Sequence, residues 1–208
     1  SGLDVAFDSS LPPLGEPACA AAPDPAKFAG HGVDARQLAD GSTLLAAINH
    51  GEREAIELFS LDLAGDIPEA TWRGCVMLPP ERSHNDVAIA ANGDLYVTVF
   101  SANPEVFSLD LLGDFVGLLT GGDTNMVYRW SKSEGLRPIE GSEGSAPNGV
   151  ALAFDDTALM FAEWGDKKVV RLDLGGRTND RQEVELPMSP DNFAWRSDGT
   201  LVVAAQEG

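Results

Sequence analysis

One β-hairpin is written four times along this chain. "HGVDARQLADGSTLLAAINH", "NDVAIAANGDLYVTVF", "NGVALAFDDTALMFAEW" and "DNFAWRSDGTLVVAAQ" each read as a polar opening, a strand, an acidic turn and an apolar returning strand. The units open at residues 31, 85, 148 and 192, spaced 54, 63 and 44 apart. "AIELFSLDL" and "ATWRGCVML" follow the first hairpin, and "KVVRLDL" and "QEVELP" follow the third, so one unit comprises four strands. Apolar residues alternate over short runs bounded by Gly, Asp and Asn, and helical periodicity is scarce. The expected class is all-β, a β-propeller with about four blades represented; an open β-sandwich is the structural rival.

The expected organisation is a single propeller domain over 1–208. Residues 1–30 read as a remnant of an earlier blade and a Pro/Ala-rich connection, followed by blades at 31–84, 85–147 and 148–190 and the start of another at 191–208. "LDVAF" reads as a leftover strand of that earlier blade, and "SANPEVFSLDLLGDFVGLLTGGDTN" as a loop or short helix capping one end. Three full sheets and one hairpin do not close a ring, so further segments or another chain are expected to complete it.

Composition narrows the partners. Lys and Arg number 14 against 33 Asp and Glu, a net charge of −19, which repels phosphate backbones and anionic lipid and argues against nucleic acid. No run approaches the roughly 18 apolar residues of a membrane helix. The opening "SGLDVAF" lacks a signal core, which implies a cytosolic protein or a leader or anchor already removed. Cys19 and Cys75 either form one disulfide or stay as two buried thiols.

In a propeller the innermost strands run in one sense along a central channel, so their first residues surround one mouth. His31, Asn85, Asn148 and the pair Asp191–Asn192 occupy that opening position. The second strand of each hairpin returns antiparallel, which brings His50, nineteen positions after His31, level with it. The same geometry sets Glu163 or Trp164 near Asn148 and Gln206 near Asn192. Carboxamides and a carboxylate turned to one axis make an oxygen-rich cage, suited to Ca²⁺ better than to Zn²⁺. Strand alternation points His84 to the other face, and Trp72, Trp130, Trp164 and Trp195 read as packing residues. No GxSxG elbow is present, and the glycine-rich runs precede no helix, so acyl-enzyme and phosphate-cradle chemistry find no support.

At these residues the chain resembles the paraoxonase/arylesterase family, calcium-dependent six-bladed propeller lactonases and esterases related to the gluconolactonase group. "HGV" with "INHG" is similar to the family's histidine dyad, "HNDVAI" to its Asn–Asp calcium motif, "APNGV" to its Ala-Asn-Gly motif, and "SPDNFAW" to its Asp–Asn pair. The resemblance implies that Asn85, Asn148, Asp191 and Asn192 hold a catalytic Ca²⁺, and that Asp86 and the main-chain carbonyl of Val33 contact a second, structural Ca²⁺. It implies His31 as general base with His50 orienting it, and secretion, a periplasmic location or membrane anchoring through segments outside this sequence. The family's acidic calcium ligands near the first blade have no counterpart here, Glu16 being a poor substitute, and Cys19 and Cys75 do not correspond to its disulfide.

The expected activity is hydrolysis of a small lactone or aryl ester, with Asp191 the next candidate base after His31. The alternative is a noncatalytic, calcium-stabilised propeller that acts as a protein-interaction scaffold.

Overall fold

A computed structural model describes residues 5–7, 12–19, 21–102, 125–175 and 180–207. The described residues form fifteen strands and no helix. β1 (Val5–Phe7), β2 (Gly30–Gln37), β3 (Thr43–Asn49), β4 (Ala55–Asp62) and β5 (Glu69–Met77) make the first sheet, in the order β1-β5-β4-β3-β2. β6 (Arg82–Ile89), β7 (Leu95–Ala102), β8 (Val127–Ser131) and β9 (Gly135–Pro138) make the second. β10 (Pro147–Leu152), β11 (Ala158–Glu163), β12 (Lys168–Asp173) and β13 (Arg181–Glu185) make the third, and β14 (Ser189–Trp195) with β15 (Leu201–Gln206) a two-stranded fourth. This is a partial β-propeller.

Four equivalent turns explain why the hairpin recurs. Asp40, Asn92, Asp155 and Asp198 each accept, through a side-chain oxygen, the N–H two residues on, at 2.9, 3.0, 3.2 and 3.0 Å. The residue after each cap is left-handed: Gly41, Gly93 and Gly199 at φ 87°, 86° and 85°, and Asp156 at φ 57°.

Asp156 departs from glycine because its carboxylate is used. It accepts from Arg36 at 2.6 Å and from the Ala91 N–H at 2.8 Å, while Arg36 also donates to the Ile89 carbonyl at 2.8 Å. One side chain from the first sheet thus ties the second and third sheets together at the turn end of the channel.

The core lies between neighbouring sheets. Ile48, Ile56 and Leu58 of the first pack with Val87, Leu95 and Trp130 of the second. Ala88 and Tyr96 of the second pack with Val150, Leu159 and Phe161 of the third. The second sheet therefore buries both faces, one against the first sheet and one against the third, which suits its β-branched and leucine-rich strands.

Two details differ from expectation, and a third falls where the structure is not described. Residues 5–7 join the outer edge of the first sheet, parallel to β5, instead of belonging to an earlier blade. β8 and β9 complete the second sheet from short segments that carry no clear alternation. The expected capping loop or helix between residues 101 and 125 falls almost wholly outside the described residues.

Of the two fates left open for the cysteines, the structure has the disulfide: Cys19 bonds Cys75, 56 residues apart. It pins the segment before β2 onto β5, where Leu14 and Glu16 also bond the backbone of Arg73 and Cys75 at 2.8 Å each. Replacing both cysteines by serine frees a loop whose closure entropy corresponds to about 4 kcal/mol. Urea unfolding of the double variant is expected to show a loss of about 2–4 kcal/mol.

Candidate functional site

The four inner strands β2, β6, β10 and β14 each break register at the polar opening of the repeat. The irregularities fall between Gly30 and Val33, His84 and Val87, Pro147 and Val150, and Pro190 and Phe193. Those gaps contain His31–Gly32, Asn85–Asp86, Asn148–Gly149 and Asp191–Asn192, the polar openings of the repeat. A bulge re-aims its side chains out of strict alternation, so the motif residues leave the sheet plane together.

Glycine lets the bulged strands touch. A methyl group on Gly32 would lie 2.4 Å from the Asn85 carbonyl oxygen and 2.5 Å from Asp86 Oδ1. One on Gly149 would lie 2.2 Å from the Asp191 carbonyl oxygen and 2.8 Å from Asn192 Cα. Between these contacts, Asp86 Oδ2 accepts the Val150 N–H at 2.9 Å, and Thr98 donates to the Asn148 carbonyl at 2.6 Å. The structure thus brings His31, Asn85, Asp86, Asn148, Asp191 and Asn192 to one end of the channel. Val33 lies on the same strand, 60% exposed, and lines the cleft of about 420 Å³ below.

The histidines meet as expected. His31 Nδ1 lies 2.9 Å from His50 Nε2. His50 is held by its own N–H to the Ala29 carbonyl at 2.9 Å and by Nδ1 to Glu54 Oε2 at 2.8 Å.

Sequence reasoning missed Glu54 and misplaced His84. The other Glu54 oxygen, Oε1, receives both the His84 backbone N–H at 3.1 Å and His84 Nδ1 at 2.8 Å. His84 is only 1% exposed. Bulges on both sides of it, at Ser83/His84 and His84/Val87, cancel the alternation that pointed it away. The available signal was its place directly before Asn85 in a repeat whose polar openings converge; nothing comparable marks Glu54.

Charge is unevenly matched here. Burial, with the charges of Asp34 and Asp191, outweighs hydrogen bonds from Val150 and Val87 and raises Asp86 to about 6. Asp34, which accepts the Ile89 N–H at 2.8 Å, is likewise pushed up by burial. Burial and the neighbouring His50 lower His31, against the opposing pull of Asp191 and Glu54. Burial alone would raise Glu54, but hydrogen bonds from His50 and His84 and their charge override it and hold the carboxyl at about 2.

The donor set fits a hard cation. Asn148 Oδ1 is buried and has no hydrogen-bond partner, on the strand whose Val150 N–H is accepted by the Asp86 carboxylate. Among the described residues, the His, Cys, Asp and Glu side chains whose ligand atoms gather within 4.8 Å are Cys19, Glu57 and Cys75, and those sulfurs are already bonded to each other. A cation at the channel mouth would therefore rely on carboxamide as well as carboxylate oxygens.

The remaining expectations divide. Glu163 pairs with Pro147, beside Asn148, while Gln206 pairs with Ser189, three residues before Asn192. Trp72, Trp130 and Trp195 spend their indole N–H on Glu57, Glu16 and the Leu152 carbonyl, as packing residues do.

No family model matches the chain, and no curated protein matches it in sequence. Solved structures share the fold. A protein of unknown function from Bacteroides caccae is 16% identical over 89% of this chain and 59% of its own, with a TM-score of 0.52. A luciferin-regenerating enzyme is 18% identical over 82% of this chain and 54% of its own, with a TM-score of 0.50. Virginiamycin B lyase from Staphylococcus aureus is 14% identical over 88% and 57%, with a TM-score of 0.47. The chain therefore spans between half and three fifths of the length of these structures.

Two measurements follow from the packing. Gly149→Ala and Gly32→Ala each drive a methyl group into backbone of the next inner strand, and each is expected to cost about 1–3 kcal/mol in urea unfolding. Glu54 has a folded value below its unfolded one, so its stabilisation is full above pH 4.5 and is lost as pH falls toward about 2. Glu54→Gln should flatten that acid limb of the stability curve.

Proposed function

We propose that this protein is a calcium-dependent hydrolase of lactones or aryl esters, working at the channel mouth where the four inner strands converge. The observation that carries the reading is the imidazole pair, His31 and His50, set against electrostatically coupled Asp191 and a buried carboxamide oxygen of Asn148 with no partner of its own.

Asn85, Asn148, Asp191 and Asn192 would hold the ion, with Asp86 and the Val33 carbonyl available to a second one deeper in the channel. Bound there, Ca²⁺ would supply Lewis-acid polarisation of the substrate carbonyl. His31 takes the proton from the attacking water. Its lowered value leaves the ring neutral, and so able to accept, at physiological pH. His50 holds the His31 ring through the 2.9 Å contact and can share the proton as it arrives. A three-residue acyl-enzyme triad is not needed, because water is the nucleophile. Val33 and Asp86 also line a cleft whose apolar wall includes Phe154, Phe193 and Trp195 and runs toward the turn end of the channel.

The test uses the purified protein on a panel of lactones and aryl esters. Turnover abolished by a chelator and restored by Ca²⁺ is the expected result; a rise in melting temperature with Ca²⁺ but no turnover on any substrate would replace the hydrolase by the scaffold reading. His31→Gln is expected to lower kcat by about 100-fold or more. Because His31 must be neutral to act, kcat/KM should rise from acid pH and level off below the ordinary histidine value of about 6.5, a bound cation moving it lower still.

A further inference from the structure

A carboxylate that accepts from two histidines decides where their protons sit. Ionised Glu54 has no hydrogen to give, so both of its partners must donate. His50 Nδ1, 2.8 Å from Oε2, therefore carries a hydrogen, and neutral His50 is left with a bare Nε2. That bare nitrogen faces His31 Nδ1 at 2.9 Å. Two lone pairs do not sit at hydrogen-bond distance, so His31 Nδ1 donates. The nitrogen of His31 left with a free lone pair is then Nε2.

We propose that Glu54 is the positioning residue of this site: through His50 it fixes the tautomer of His31, leaving Nε2 as the proton-accepting atom, while His84 clamps the carboxylate. The clamp has two bonds, from the His84 backbone and ring, and both end on Oε1, so Oε2 stays aimed at His50. Glu54 immediately precedes β4 and His84 lies on β6, so the clamp also ties the dyad of the first sheet to the strand that bears Asn85 and Asp86. The arrangement resembles the logic of a hydrolytic triad, in which the acid orients an imidazole and stabilises the charge it acquires without accepting its proton. Here the orientation passes through a second imidazole. Glutamine cannot reproduce it, since it offers one acceptor oxygen where Glu54 offers two, and the three N–H groups of His84 and His50 use both.

This assignment of roles rests on the hydrolase reading, but the tautomers can be measured without any substrate. The chain has three histidines, so nitrogen-15 ring correlations of the full protein near pH 8 give three resolvable patterns. All three are expected to carry hydrogen on Nδ1, the less common form for free imidazole, and Glu54→Gln should return His31 and His50 to the Nε2–H form. A wild-type His31 protonated on Nε2 overturns the proposal. Kinetically, Glu54→Gln should lower kcat by about 100-fold with KM nearly unchanged, and Glu54→Asp, which keeps two acceptor oxygens, should recover part of it. Wild-type turnover that Glu54→Gln leaves intact sinks the role of Glu54 alone; absent wild-type turnover with the three Nδ1–H patterns present sinks the hydrolase reading and leaves the tautomer assignment standing.

Discussion

Among the described residues, every sheet ends at the axis with a strand that has no further strand to pair with, and the free edge of β2, β6, β10 and β14 is the constraint from which the rest follows. Buried backbone N–H and C=O groups along such an edge need partners. The neighbouring inner strand provides them through side chains. Asp34 of β2 accepts the N–H of Ile89, and Asp86 of β6 accepts that of Val150. In the other direction Arg36 donates to the Ile89 carbonyl and Trp195 to that of Leu152. Polar residues line the channel because the fold requires them there, before any chemistry is asked of them.

That necessity has an electrostatic consequence. The acceptors that suit a backbone N–H are carboxylates, and several of them face one narrow space. Asp34 and Asp86 are both pushed toward the protonated form by burial, and Asp86 is pushed further by the charges of Asp34 and Asp191. Protonating Asp86 would relieve the repulsion; a divalent cation would relieve it and also serve the partnerless oxygen of Asn148. Asp86 can do both jobs, since Oδ2 is committed to Val150 while Oδ1 faces the Gly32 position on β2.

The parts of this arrangement that could be read from the sequence are those that recur. The turn with a capping Asp or Asn and a left-handed residue appears four times, and so do the polar openings, so strand pairing, channel mouth and the His31–His50 pair were all within reach. What recurs only once was not. Glu54 sits in a loop with no counterpart in the other hairpins, and the disulfide from Cys19 joins β5 to an irregular segment with no period to read. His84 was lost for a sharper reason: alternation is a rule for regular strands, and the bulges that gather the site are departures from it. The convergence that suggests function is produced by the irregularity that defeats the pattern.

The dyad belongs to the first sheet for a physical reason as well. Beneath it lies a buried polar floor: Asn49 and Glu57 are fully buried, and Glu57 takes two bonds from the Arg53 guanidinium and one from the Trp72 indole. Asn49 receives the N–H groups of Ala29 and Gly51 on its side-chain oxygen, each at 3.0 Å, which fixes the chain on both sides of the hairpin mouth. The Ala29 carbonyl then holds His50. A satisfied network of this kind is rigid, because shifting one member leaves a buried charge or amide without its partner. An imidazole pair must hold its separation to within a fraction of an ångström to pass a proton. The pair sits over this cross-bonded floor, and the segment that leads to it is anchored by a disulfide, so the fold supplies the rigidity that such a separation requires.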